Sequence, residues 1–222
     1  QNLDFPPAAA SLLTAIVEKR LGWDTKVFDF NMFLNSSVDT DAWIELENYW
    51  RSTKEDISND TRSKLEDTIE RFAEQLQDYN ADWLAISVFS RWSTIACYEV
   101  VKILRKKLKC KIFIGGHGID SWPGSLPGRD DTKKYTTIAS YLKDQNLIDH
   151  YITGEGEDSI VELLGGHTEF PGIDGKMPRP VKSLNDLPAP NYRDVNPNDY
   201  YYTTAPGVYI TASKGCVRKC TF

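Results

Sequence analysis

The residues with the clearest chemical potential stand late in the sequence. Cys216 and Cys220 lie four positions apart in Cys216-Val217-Arg218-Lys219-Cys220-Thr221-Phe222, directly after Gly215. Thiolates are the ligands of iron–sulfur clusters, and close spacing on a loop lets several of them wrap one cluster. Zinc commonly takes four ligands from two close pairs, and the sequence has no second close cysteine pair. On spacing alone a cluster site, another metal site and a chance pair all remain open.

Three further stretches place glycines or hydroxyls where a ligand could approach. Gly154-Glu155-Gly156-Glu157 joins an apolar segment to a helical one. Its glycines permit close backbone approach, and a helix start offers unpaired N–H groups. The carboxylates also suit that terminus electrostatically, so helix capping by Glu157 explains the motif equally well. Ile112-Phe113-Ile114-Gly115-Gly116-His117 ends an apolar run in two glycines. They either clear space for a flat or bulky ligand or make a tight turn. Ser87 and Ser90 follow another apolar run, where they could bond a ligand or cap the helix expected near Ser93. Pro6-Pro7 closes a first short apolar stretch.

These positions need a scaffold, and the sequence alternates apolar strands with amphipathic helices. Strands are expected at Leu3–Phe5, Lys26–Phe30, Asp82–Phe89, Lys111–Ile114 and His150–Thr153. Helices are expected at Ala8–Leu21, Asp41–Trp50, Lys54–Tyr79, Ser93–Leu108, Thr136–Gln145 and Glu157–Leu164, each with apolar residues at helical spacing. The pattern predicts an α/β fold with a doubly wound parallel sheet, flavodoxin-like or Rossmann-like, covered on both faces. Such sheets bind ligands beyond the carboxyl ends of their strands. The proline motif, Ser87–Ser90, Gly115–His117 and Gly154–Glu157 all fall there. After Gly166 the composition changes. Residues 167–206 hold more than half of the chain's 11 prolines and read as an extended linker with turns. Val208–Thr211 reads as a new strand leading to the cysteine loop.

Composition narrows the classes of function. The 222 residues carry 26 Lys+Arg against 32 Asp+Glu, a net charge of −6, which argues against a nucleic-acid-coating protein. The mean hydropathy is −0.44 and no apolar run is long enough for a bilayer-spanning helix. The first residues show no secretion signal, and a cytoplasmic protein is expected. The chain begins without Met and is expected to be part of a longer one. Four cysteines in this length are not a disulfide scaffold, and Cys97 and Cys110 read as buried structural thiols.

Taken with its surroundings, Cys216–Phe222 resembles the radical SAM cluster loop, C-x-x-x-C-x-aromatic-C. Cys216 and Cys220 match its first two cysteines and Phe222 its aromatic, with the third cysteine falling at position 223. Val208–Thr211 matches the first strand of that family's (β/α) barrel, and Ser213-Lys214-Gly215 its approach to the loop. Ile148-Asp149-His150-Tyr151-Ile152-Thr153-Gly154-Glu155-Gly156-Glu157 resembles the cobalamin-binding domain that precedes many radical SAM barrels. Leu187-Pro188-Ala189-Pro190-Asn191-Tyr192 resembles the linker phrase that follows it. The resemblance implies a cobalamin-binding-like domain over residues 1–166 with a helical insertion at 41–79. A linker at 167–206 and the start of a radical SAM domain at 207–222 complete the organisation.

The same resemblance implies a [4Fe–4S] cluster held in part by Cys216 and Cys220, with S-adenosylmethionine on its open iron. Electron transfer from a donor such as flavodoxin or ferredoxin would then generate a 5′-deoxyadenosyl radical, commonly in the service of methyl transfer. It assigns cobalamin to Pro7, Ser87, Ser90, Gly115, Gly116, His117, Gly154, Glu155 and Gly156. The chain departs from the family in two places: Pro is missing between Gly116 and His117, and Ala8-Ala9-Ala10 stands where a glycine is usual. The D-x-H-x-x-G motif, by which cobalamin mutases and methionine synthase supply a histidine to cobalt, is absent, so the resemblance implies a form without a histidine taken from that motif. No P-loop or G-x-G-x-x-G is present, which argues against a dinucleotide site. Two rivals stand beside this reading: a non-catalytic cobalamin-binding or sensing module, and a radical SAM enzyme whose first domain no longer binds cobalamin. The substrate is not legible.

Overall fold

The computed structural model describes residues 6–51, 56–120, 134–181, 183–200 and 207–208. The expected strand at Leu3–Phe5, all but Val208 of the expected strand at Val208–Thr211, and both Cys216 and Cys220 lie outside the described residues.

Helix α1, Ala8–Leu21, ends where Gly22 turns left-handed (φ 68°) and returns its N–H to Glu18, with Lys19 and Arg20 in the last turn complementing the helix dipole. Helix α2, Phe30–Asn35, starts at Asp29, whose carboxylate accepts the N–H groups of Asn31 and Met32. Helix α3, Thr40–Trp50, is capped by Asp39, and α4, Asn59–Tyr79, by Ser58. Strand β1, Trp83–Ser87, leads through a short 3-10 turn to α5, Thr94–Lys107. Then come β2, Lys111–Gly115, α6, Ile138–Asp144, β3, His150–Ile152, and α7, Gly156–Leu164.

The three strands are parallel in the order β1-β2-β3, with Leu84 beside Ile112, Ile86 beside Ile114, and Phe113 beside His150. Alternation of side chains sorts them onto two faces. Ile112 and Ile114 pack with Leu84 and Ile86 against α3, α4, α5 and α6. Phe113 and Ile152 pack on the other face with Val17 of α1, Ile160 and Leu163 of α7, and Ile173. The result is a three-layer α/β arrangement around a small sheet. Among the described residues the strand order shows no reversal.

The stretch Lys26–Phe30, expected as a strand, does not pair into the sheet: residues 26–29 form no strand and Phe30 already begins α2. Its backbone finds other partners: the Val27 N–H donates to Asp194 at 2.9 Å, and Asp29 is committed to capping α2. Its aromatics were the misleading signal. Phe28 and Phe30 pack edge-on against Phe72 of α4, with ring centroids 6.2 and 5.1 Å apart. The helices at 40–79 supply much of the larger core rather than decorating it, since Leu46, Tyr49, Leu65, Ile69 and Leu76 share it with Val101 and Leu104 of α5. Buried Glu99 of α5 ties them together, accepting from Tyr49 of α3 at 3.2 Å and lying 3.7 Å from Arg62 of α4.

At the amino end of the sheet, Asp149 accepts from the Ile112 N–H (2.7 Å) and pairs with Arg105 (2.6 Å). The outer edge of β3 is covered by an antiparallel bridge from Ile152 to Ile173, which removes an exposed edge. There Asp174 pairs with Lys143, lies 2.8 Å from Nδ1 of His150 and accepts from the Tyr151 N–H.

Candidate functional site at the carboxyl ends of the strands

Because the strands are parallel, the segments after β1, β2 and β3 emerge at one end of the sheet. Hydrogen bonds knit the first two together. The Val88 N–H donates to the Gly115 carbonyl at 2.8 Å, and the Gly118 N–H donates to the Val88 carbonyl at 2.8 Å. Gly116 has φ 102°, and a Cβ there would lie 2.7 Å from the Val88 carbonyl oxygen. A Cβ on Gly118 would lie 2.3 Å from that of Ser90. The space these glycines leave is therefore filled by the chain's own backbone. His117 is exposed and opens a short 3-10 turn, His117–Asp120.

The residues assigned to a ligand occupy different situations. Ser87 is exposed at the end of β1. The Ser90 hydroxyl faces that of Ser93 at 3.4 Å and does not cap the 3-10 turn it precedes. Pro7 occupies the N-cap of α1, a helix without a side-chain cap or an acidic residue in its first turn. Gly115 is half-buried, with ordinary contact distance to Ile152 across the sheet. Gly156 begins α7 near Leu13 of α1. Gly154, with φ 74°, lies under Pro178, and Glu155 holds the N-cap position of α7 without bonding its N–H groups. Glu157 is buried in that first turn.

Two aromatics at this end, absent from the candidates the sequence offers, are exposed. Phe89 is 78% exposed and Trp92 42% exposed, with the Arg91 guanidinium 4.1 Å from the Trp92 ring. Both directly follow β1. Exposure of large aromatics at the mouth of a parallel sheet is a signal that only the folded chain supplies, because in the sequence they look like core residues.

Two cavities lie elsewhere. One of about 440 Å³ is lined by Asp39, Asp41, Glu45, Asp60 and Lys64 where α3 meets α4. The other, of about 400 Å³, is lined by Phe28, Met32, Phe33, Phe72, Asp194 and Tyr200. Among the described residues no group of three His, Cys, Asp or Glu side chains is placed to hold a metal ion. Cys97 is buried on α5, and its loss of solvent pushes the thiol up to about 12. Cys110 is half-buried, and burial raises its thiol too, against the pull of Arg105. No described helix is long and apolar enough to cross a membrane.

The fold and site define an α/β domain with a parallel sheet and two exposed aromatics, Phe89 and Trp92, in the segment after β1. Compared with known proteins, the chain matches no family model, no curated protein and no solved structure.

Proposed function

We propose that the chain is the amino-terminal part of a cobalamin-dependent radical SAM enzyme. The observation that carries the reading is the stretch Cys216–Phe222, whose two thiols and aromatic follow the spacing of the radical SAM cluster loop. The fold supports it from the other side: a parallel α/β sheet precedes that loop, and its carboxyl end is the kind of surface on which such folds bind flat ligands.

The β1 side of that surface supports the corrin reading. Exposed Phe89 and Trp92 offer apolar area, and the exposed Ser87 hydroxyl offers a hydrogen bond to a ligand amide. Gly116 and Gly154 contribute no room, since Val88 and Pro178 fill it. In this reading Ser87, Phe89 and Trp92 hold the ring, and Cys216 and Cys220 ligate the cluster. Bound cobalamin would supply methyl-group chemistry, and the cluster would supply an electron to S-adenosylmethionine. The protein's own part is to position both and to exclude water.

The filled glycine positions favour one alternative, a radical SAM enzyme whose first domain binds no cobalamin. Anaerobic purification of the chain, extended beyond Phe222 and supplied with cobalamin, separates the two. A corrin absorbance together with an iron–sulfur charge-transfer band is the expected result. Cys216→Ala and Cys220→Ala are expected to lose the second and keep the first. A cluster without corrin selects the alternative, and absence of a cluster after reconstitution overturns both.

A further inference from the structure

We infer that the Gly154-Glu155 turn is a receptor for the chain's own strap, residues 177–181, and that Glu155 is a positioning residue for the segment that follows. Three strap residues meet this turn and the helix it starts. A Cβ on Gly154 would lie 2.5 Å from Cβ and 3.0 Å from Cγ of Pro178, so the glycine's bare face is shaped to a proline ring. The Glu155 carboxylate occupies an N-cap position yet leaves the helix N–H groups alone. Its Oε2 instead accepts the Val181 N–H at 2.5 Å. Between them, Arg179 stands 3.8 Å from Asp158 in the first turn of α7 and lays its guanidinium 4.3 Å from the centre of the Phe170 ring.

The physical need is clear. An extended, proline-bearing segment has no ladder to pair with, so its buried or half-buried N–H groups require side-chain acceptors. A carboxylate is the strongest of these. The contact is also the first in a row along the same side of the domain. Lys19 donates to the Asp186 carbonyl, the Asn191 N–H donates to the Ser11 carbonyl at 2.8 Å, and Arg193 bonds Glu18 and the Thr25 carbonyl. Asp194 takes the Val27 N–H, and the Tyr200 hydroxyl donates to Asp29 at 2.7 Å. A segment held at so many points is a strap of fixed course, and the Gly-Glu turn is its clasp. The inference stands apart from the cofactor reading, since a clasp of this kind works whether or not cobalamin binds.

Hydrogen exchange on the whole chain tests it. The Val181 amide is expected to exchange slowly, and Glu155→Ala is expected to speed it about tenfold or more while the Ile112 and Ile114 amides keep their protection. Val181→Pro removes the donor from the strap and leaves the turn intact. It is expected to speed tryptic cleavage after Lys176 with the sheet amides unchanged. A Val181 amide as fast in the parent chain as in Glu155→Ala, or one left slow by that change, overturns the inference. So does an unaltered cleavage rate in Val181→Pro.

Discussion

Gly116 and Val88 touch backbone to backbone: a Cβ on Gly116 would stand 2.7 Å from the Val88 carbonyl oxygen, the same oxygen that receives the Gly118 N–H. Close approach here joins the loops after β1 and β2 into one unit at the carboxyl end of the sheet. Two penalties would meet a side chain at this position, the left-handed φ of 102° and the clash with backbone that cannot rotate away. Gly116→Ala is therefore expected to lose about 2 kcal/mol or more. Gly22→Ala has open space around it and should lose only about 1 kcal/mol for its positive φ. Chemical denaturation of the two variants checks the order, and equal losses would show that the Val88 contact does not matter.

The Asp149 carboxyl provides a pH prediction. Burial by itself would raise its pKa, but Arg105 and the Ile112 N–H outweigh that and hold it below the ordinary value of 3.8. A group depressed in the folded state stabilises above its unfolded pKa, and the contribution disappears as pH falls through the folded value. Asp174 behaves in the same way, its burial outweighed by Lys143, His150 and the Tyr151 N–H. Stability is expected to fall as pH drops below 3.8. The slope should be shallower in Asp149→Asn, measured by denaturant midpoints across that range.

Thiol reactivity should sort the described cysteines by burial. Cys97, fully desolvated and pushed up to about 12, is expected to resist alkylation at pH 8 in the folded chain. Cys110, half-buried and raised less, is expected to react more slowly than a free thiol but before Cys97. Peptide mapping after timed labelling reads each site separately, and rapid labelling of Cys97 without unfolding would contradict its place in the core.

Phe89 gives the sharpest test of the proposed ligand surface. It is 78% exposed, so Phe89→Ala should leave thermal stability nearly unchanged. If the ring covers a corrin, its loss should weaken cobalamin binding by about 1–2 kcal/mol, a rise in Kd of roughly 5- to 30-fold. Titration of the parent and variant by absorbance decides it. Equal affinity would remove Phe89 from the site.

Legibility differed between elements for physical reasons. The strand at Trp83–Ser87 and helices such as Asn59–Tyr79 carry strong local signals, and they stand within a few residues of their expected positions. Lys26–Phe30 did not follow its pattern. An alternating aromatic run signals burial, but only the neighbours decide whether its backbone pairs with a strand or, as here, with the Asp194 carboxylate. The glycines at the carboxyl ends of the strands are legible as positions of close approach. Their partners are not, because Val88 and Pro178 reach them through folding across long sequence separations.

The sequence by itself determined the α/β alternation, the parallel strands and the cysteine spacing, because hydrophobic period and residue type act locally. Tertiary structure alone decided which faces of the sheet are covered, which glycine spaces stay open, and that Phe89 and Trp92 face solvent. It also turned the Gly154-Glu155 motif toward the chain's own strap, since the acceptor and its donor at Val181 are 26 residues apart and meet only when β3 and α7 have packed.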